Sequence, residues 1–251
     1  MVIVLLIFAK RQVDNQLVKD HVVHVNVEGE NSFLSKAEVL TRLRNRNFIF
    51  ADQRLNQINF EGMESYLLDM EEVDVARVYA NIDGTLKLDV RLREPIARIF
   101  NKHGESFYLD KQGYTLSSGS HHTARTLVVT GDIPDRLGVY NVNDIINNDS
   151  LKTIQKLDDV YRISNYVCND PFMQTLIGQI HRESNGDFIL LPIIGGQKIV
   201  FGAANTEKEV TEKFKKLQIF YKEAMPFEGW GKYSEINLKF DKQIVCKLKA
   251  I

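Results

Sequence analysis

Side chains able to do chemistry are scattered along this chain, and few stand at a spacing that chemistry would need. His121-His122 is its one adjacent histidine pair. Metal ligation, however, needs convergent groups oriented by partners behind them, and Gly119-Ser120 and Thr123 around the pair mark a loop. His21 and His24 lie three apart in an alternating run, which puts them on opposite faces of a strand and makes them poor joint ligands. Glu71-Glu72 and Asp158-Asp159 could be cast as acid and base, but adjacent helix positions point in different directions, so solvated faces are expected. Gly195-Gly196 precedes a strand pattern and lacks the helix N-terminus that a phosphate cradle uses. No G-x-S-x-G, P-loop or H-E-x-x-H occurs. Cys168 and Cys246 show no metal spacing and read as small buried hydrophobes. A bridge between them needs an oxidising compartment and Cα atoms within about 7 Å. The expectation is a protein that is not an enzyme, with no cofactor and no small-molecule substrate.

The closing segment stands out instead. Glu228-Gly229-Trp230-Gly231-Lys232-Tyr233 sets the sole Trp between two glycines, where it either projects as an anchor or folds back onto a sheet. Trp and Tyr hide much area at little rotamer cost, which suits them to interfaces. Ile236, Leu238 and Phe240 then alternate, Asp241-Lys242 turns the chain, and Ile244, Cys246 and Leu248 alternate again. The last strand, Lys242 to Lys249, is the natural edge of its sheet. Its Lys242, Lys247 and Lys249 are the residue type that blunts such edges against aggregation. A basic edge could equally pair with an acidic partner strand through main-chain hydrogen bonds.

The elements that must position this edge follow from periodicity. His21 to Val27 alternates as a strand closed by Glu28-Gly29-Glu30-Asn31. Ser35-Lys36-Ala37-Glu38 is a capping box opening a helix with Leu40 and Leu43 on its buried stripe. Met63, Leu67 and Met70, with Tyr66 alongside, mark a second helix. Ala76, Val78, Ala80 and Ile82 share one strand face, and Leu86, Leu88, Val90 and Leu92 another. Asp83-Gly84 between them predicts a two-residue type I′ turn, and Pro95 ends the pairing. The order strand, helix, helix, strand, strand predicts a three-stranded sheet with both helices on one face.

Beyond Pro95 shorter strands suggest a meander: Ala97 to Phe100, Glu105 to Leu109, a turn at Asp110-Lys111-Gln112-Gly113, and Leu127 to Thr130. Ser150 or Asp149 should cap a helix bearing Leu151, Ile154, Leu157 and Tyr161. Asp170-Pro171 should open another with Phe172, Leu176 and Ile180, stopped at Asn185-Gly186. Strands resume at Phe188 to Leu191 and Lys198 to Phe201. A second capping box, Thr206-Glu207-Lys208-Glu209, starts a long amphipathic helix with Val210, Phe214, Leu217 and Tyr221.

With 251 residues, two domains are a better expectation than one. Hydrophobic content of 44% with 26% charged residues fits a packed globular chain rather than disorder, and a net charge of −1 gives no general attraction to nucleic acid. Met1 to Ala9 is uncharged, but nine helical residues span only ~14 Å against a hydrocarbon core of ~30 Å. Three readings are open for it: a buried strand, a signal-peptide core, or the tail of a truncated transmembrane helix, to which Lys10-Arg11-Gln12 would be the aqueous flank.

Five segments together resemble the FtsQ/DivIB family of bacterial cell-division proteins, in its Bacteroidetes form: VVHVNVEGENSFLSKAEVLTRL, LLDMEEVDVARVYANIDGTLKLDVRLREPIARIFN, GESFYLDKQGYTL, FILLPIIGGQKIVFG and GWGKYSEINLKFDKQIVCK. Their order and spacing carry the resemblance over nearly the whole chain. It implies an α+β architecture: residues 1–11 as a remnant of the membrane anchor, residues 20–93 as a small POTRA domain, and residues 94–251 as a mixed β-domain with packed helices and a C-terminal β-hairpin. It also implies a divisome scaffold in the inner membrane. Such a protein has a single transmembrane pass, its bulk in the periplasm at the septum, and FtsB (DivIC)-like and FtsL-like bitopic partners. In relatives, partner contact involves the helix before the last hairpin and the terminal strands. By position, the candidates here are Tyr221 on the helix, Trp230 and Tyr233 at the hairpin entry, and Lys239 and Lys247 on the strands.

Two other readings stand beside this one. A POTRA-containing module for outer-membrane protein assembly or secretion would carry tandem POTRA units or a following barrel of many alternating strands. A soluble envelope enzyme would show a deep pocket with clustered, pKa-shifted acids or histidines.

Overall fold

A computed structural model describes residues 15–26, 33–118 and 124–249. The expectations for Met1 to Ala9, Glu28 to Asn31 and His121-His122 lie outside the described residues. The chain divides into two compact units: the first runs to Glu94 and also takes in Ala124, and the second begins at Pro95 and resumes at Arg125.

In the first unit, β1 (Asp20–Asn26), α1 (Lys36–Asn45), α2 (Phe60–Leu68), β2 (Val73–Ala80) and β3 (Thr85–Leu92) follow in order. β3 lies in the middle, parallel to β1 and antiparallel to β2. Strict alternation dictates this place, since Leu86, Leu88, Val90 and Leu92 all leave solvent on one face. Each such burial is worth roughly 1.5–3 kcal/mol. The capping box is formed as expected: the Glu38 N–H donates to the Ser35 hydroxyl at 3.2 Å and the Ser35 N–H to the Glu38 carboxylate at 2.8 Å. α1 contributes Val39 and Leu43 to the core, and α2 contributes Met63 and Leu67. Leu40 is only partly buried, so Val39 takes the place expected for it.

The β2–β3 turn differs from the expected two-residue type. The Gly84 N–H bonds to the Asn81 carbonyl at 3.0 Å and the Asn81 N–H to the Thr85 carbonyl at 2.9 Å, so the connection runs from Asn81 to Gly84. Only Gly84 adopts positive φ, at +90°. Asp83 instead caps the Thr85 N–H at 2.9 Å, and Ile82 is carried onto the exposed tip rather than the buried face.

The second unit contains β4 (Pro95–Phe100), β5 (Ser106–Asp110), β6 (Thr115–Ser117), β7 (Leu127–Gly131), α3 (Val142–Ile146), α4 (Asp149–Ile154), α5 (Leu157–Asn169), α6 (Pro171–Leu176), β8 (Ile177–Arg182), β9 (Phe188–Pro192), β10 (Lys198–Gly202), α7 (Glu207–Ile219), a π-helical turn at Phe220–Ala224, α8 (Met225–Glu228), β11 (Tyr233–Asn237) and β12 (Val245–Leu248). The strands form one nine-stranded sheet in the order β12-β11-β10-β9-β8-β7-β4-β5-β6. It is mixed rather than a pure meander. β7 is parallel to β8 and β11 to β10, because helical crossovers intervene, and β7 is also parallel to β4, from which β5 and β6 separate it in the chain. Pro95 is the first residue of β4, where a missing donor is tolerated. Ile99, Val129, Ile180, Leu190, Ile199 and Ile236 from the sheet share one core with Val160 and Ile163 of α5 and Phe214 and Leu217 of α7. The Tyr166 and Phe214 rings stack at 4.4 Å, joining α5 to α7.

Three expectations here are corrected. The helix expected to run from Ser150 or Asp149 through Tyr161 is two helices. Asn148 caps the first, and Gln155-Lys156 separates them. The second starts where it does because the buried Asp135 carboxylate accepts the Lys156 and Leu157 N–H groups at 2.9 and 3.1 Å. α6 stops after six residues, so Ile180 lies on β8 instead of on a helix. Asp158 and Asp159 are buried rather than solvated, because the Arg162 guanidinium one turn on reaches both, at 2.6 and 2.7 Å, and also the Ala204 carbonyl at 2.9 Å. Burial first, and then the Asp158 charge, push Asp159 up to about 6.

Candidate functional site: a sheet edge and the helix beside it

β12 pairs with β11 on one side and with no described strand on the other. Which backbone groups face the open side follows from the ladder. The Lys249 N–H bonds inward to the Lys232 carbonyl at 3.0 Å, and Lys247 and Val245 stand opposite Glu235 and Asn237. Since successive residues of an antiparallel strand direct their amides to opposite sides, Cys246 presents N–H and C=O outward and Leu248 its N–H, while the Leu248 carbonyl accepts the Ser234 hydroxyl at 3.1 Å.

The five candidate residues are placed differently. Lys247 is exposed on β12, opposite Glu235. Lys239 lies just past β11 and is ion-paired with Asp187 of the β8–β9 turn at 2.7 Å. Tyr233 is half-buried, its ring 6.0 Å from that of Phe220 and its hydroxyl 3.3 Å from the Glu228 carboxylate, which also pairs with Lys232. Burial, then the Glu228 charge, raises the Tyr233 phenol above its ordinary value. Trp230 is 46% exposed and packs on the Tyr221 ring at 5.6 Å between centroids. Both sequence readings of this residue therefore hold in part, since one side of the indole is covered and the other is open.

Tyr221 is not a surface residue. It is 2% exposed, and its hydroxyl accepts a hydrogen bond from the Gln197 side chain at 2.8 Å. Burial pushes its phenol up to about 12. Its place follows from the π-helical turn, which sets Tyr221 and Met225 on the core side while Ile219 points to solvent. Trp230, Tyr233, Lys239 and Lys247 thus gather around the final hairpin, and Tyr221 lies beneath them as the floor on which Trp230 rests.

Sequence reasoning did not find the ground between α7 and the hairpin. The Lys216 ammonium donates to the Leu238 carbonyl at 3.2 Å and the Phe240 carbonyl at 2.7 Å, tying α7 to the β11–β12 connection. A cleft of about 620 Å³ lies on one side of this tie and an apolar groove of about 320 Å³ on the other. The lysine density of α7, Lys213, Lys215 and Lys216, was the available signal.

Elsewhere the polar groups serve structure. Asp158, Asp159 and Arg162 spend their contacts on one another and on the backbone. His21 and His24 sit on opposite faces of β1, and burial lowers the pKa of His21. Gly195 and Gly196 adopt φ of +99° and +67° in the turn before β10. Cys168 and Cys246 are not joined in a disulfide. Among the described residues no group of His, Cys, Asp or Glu could hold a metal ion, and no helix is long and apolar enough to cross a membrane.

Comparison with known families adds a second line of observation. Residues 94–247, more than half of the chain, match the family model described as FtsQ/DivIB, C-terminal related. Residues 17–91 match the model of the POTRA-like domain. No curated protein matches the chain.

Proposed function

The chain belongs to the FtsQ/DivIB family, and from that premise we propose that it is a non-enzymatic scaffold of the cell-division machinery whose final strand receives a strand from a partner. The scaffold role follows the family. The partners in this reading are bitopic proteins of the FtsB (DivIC) and FtsL type. The protein itself is held in the inner membrane by a single N-terminal helix, with both described units on the periplasmic side at the septum. It links septal-ring assembly to septal peptidoglycan synthesis, and the POTRA-like unit serves recruitment or contact with other division proteins.

One observation supports the docking part most directly, the unpaired side of β12 with Cys246 and Leu248 facing outward. Three outward backbone groups, each contributing ~0.5–1.5 kcal/mol net when bonded, supply roughly 1.5–4.5 kcal/mol before side chains add to it. Trp230, Tyr233 and Lys247 stand beside that row and give it an aromatic and a basic flank.

The test is a pull-down of the partner from membranes with the full-length tagged protein, wild type against Trp230→Ala combined with Lys247→Glu. Weakened recovery is expected. Full recovery removes this surface from consideration. Microscopy of the same tagged protein should show a band at the division site, and a uniform envelope signal contradicts the septal reading.

A further inference from the structure

We propose that the tip of the β2–β3 hairpin is a membrane-contact surface, with Ile82 seated among the lipids of the bilayer that holds the N-terminal anchor. This rests on the anchored reading above and adds which end of the first unit meets the bilayer.

Ile82 is 84% exposed at the apex of the hairpin, where turn chemistry favours Gly, Asn, Asp and Ser. The turn beneath it is held from several sides. The Gly84 N–H bonds to the Asn81 carbonyl at 3.0 Å, the Thr85 N–H to the Asp83 carboxylate at 2.9 Å, and the Gln16 side-chain amide to the Asp83 carbonyl at 3.0 Å. An apolar side chain on so fixed a turn cannot fold back for cover, so it stays presented to the surroundings.

The chain enters the first unit at this same tip. β1 is parallel to β3 with Asp20 opposite Thr85, so both strands start at the hairpin end. Just before β1, the Lys19 N–H bonds to the Gly84 carbonyl at 3.0 Å and the Val18 N–H to the Gln53 carbonyl at 2.8 Å. Leu17 lies between the hairpin and the loop leading to Arg54, and both Leu17 and Phe50 of that loop are about half exposed. Only six residue steps separate Asn15 from Ala9, the last of the uncharged N-terminal run, a reach of ~20 Å at most. β2 is eight residues long, which puts the opposite end of the sheet a further ~25 Å off. An anchor in the bilayer therefore delivers the hairpin end to the lipid surface.

Formal charges at the tip cancel. Lys19 and Lys87, both near enough to act on the Asp83 carboxylate, are countered by Asp83 itself and by Asp20. That leaves no net attraction to anionic headgroups and makes Ile82 the contact that matters. The apolar stems of the two lysines suit the headgroup zone, since their ammonium groups reach water while the methylenes stay among lipid. A protein partner would need a pocket shaped to this convex point, whereas a fluid bilayer takes it up as it is. With the anchor so close, the bilayer is the favoured occupant.

The experiment uses the full-length protein reconstituted in vesicles, with Trp230→Phe removing its sole indole. Ile82→Trp then sets one fluorophore at the tip, where φ is not positive. Leu68→Trp sets it instead at the half-exposed end of α2, beside the start of β2 and so at the far end of the sheet. Lipids spin-labelled near the headgroup should quench Ile82→Trp about threefold more than Leu68→Trp. The contrast should be alike in phosphatidylcholine and phosphatidylglycerol vesicles and at low and high salt. Because an indole itself favours the interface, a second measurement keeps the native residue. The amides of Ile82 and Asp83 should be protected from exchange in the reconstituted wild type and unprotected in Ile82→Ser.

Equal quenching at the two positions, or equal protection in wild type and Ile82→Ser, overturns the proposal. A blue-shifted but unquenched indole in Ile82→Trp assigns the tip to a protein surface and overturns it as well. Contrast confined to phosphatidylglycerol, or lost at high salt, assigns the contact to the lysines and removes Ile82 from the bilayer. A protein that does not float with vesicles ends the anchored reading and the proposal together. One that floats without tip quenching leaves the anchor standing and ends the proposal alone.

Discussion

The side-chain amide of Gln197, at the entry to β10, donates to the Tyr221 hydroxyl at 2.8 Å, with both residues out of solvent. On the other side of the same ring sits Trp230, half open to solvent. The exposed indole therefore rests on a phenol that is itself fixed from within the sheet. Tyr221→Phe leaves the buried Gln197 amide without its acceptor and should cost about 1–3 kcal/mol of stability. Urea unfolding followed by the fluorescence of the sole Trp measures it. Partner binding per folded molecule should be unchanged. A loss of binding at unaltered stability would instead mean that the hydroxyl meets the partner.

The carboxylates of Asp158 and Asp159 share one guanidinium, and Asp159 titrates at about 6 against an ordinary 3.8. The folded state thus holds this proton more tightly than the unfolded chain does, so the associated stability is full at low pH and is lost as pH rises through about 6. Asp135, also raised by burial, acts with the same sign. The urea midpoint of the second unit should fall from pH 5 to pH 7, and Asp159→Asn should flatten that slope. In the first unit the sign reverses. Burial holds His21 below its ordinary value, so that contribution is present at neutral pH and is lost as pH falls. A midpoint of the second unit that climbs from pH 5 to pH 7 contradicts the assignment.

The two sides of β12 can be separated by proline. Leu248→Pro removes an outward donor and should leave stability within about 0.5 kcal/mol while abolishing strand addition. Lys247→Pro removes an inward one and should loosen β12 from β11, seen as faster amide exchange at Glu235 and Asn237. A larger loss of stability from Leu248→Pro than from Lys247→Pro would show the strand's outward and inward sides to be reversed.

Gly131 ends β7 with φ of +103°, and a Cβ there would lie 2.1 Å from the Arg182 carbonyl oxygen. Gly131→Ala should cost on the order of 3 kcal/mol, through strain and through separation of β7 from β8. Denaturant titration decides it, and a cost under about 0.5 kcal/mol would refute the close approach.

What the sequence disclosed depends on how local the cause was. The alternation of β3 and the Ser35 capping box were legible because every participant lies within a few residues. The break before Leu157 was not, since the group that caps α5 is Asp135, some twenty positions upstream. Leu176 and Ile180 are four apart, a spacing helix and strand both allow, and it is the pairing of β8 with β7 and β9 that decides for strand. The burial of Asp158 and Asp159 had a signal in Arg162, placed to reach both. Of the candidate site, the edge strand and its lysines were visible as an alternating basic run. The groove arises only from the passage of α7 beside the hairpin and leaves no mark in periodicity.

The parallel pairing of β10 with β11 has a kinetic side. Neighbouring hairpins such as β8–β9 close over a handful of residues, whereas β11 reaches β10 only after α7 has crossed back over the sheet. Closing that longer span comes at greater entropic cost and later in folding. β12 can add only to a β11 already in place, so the open edge of the sheet at β12 is among the last features to form. On the docking proposed above, a half-folded chain would lack the row that a partner strand needs, and recruitment would report that folding is complete.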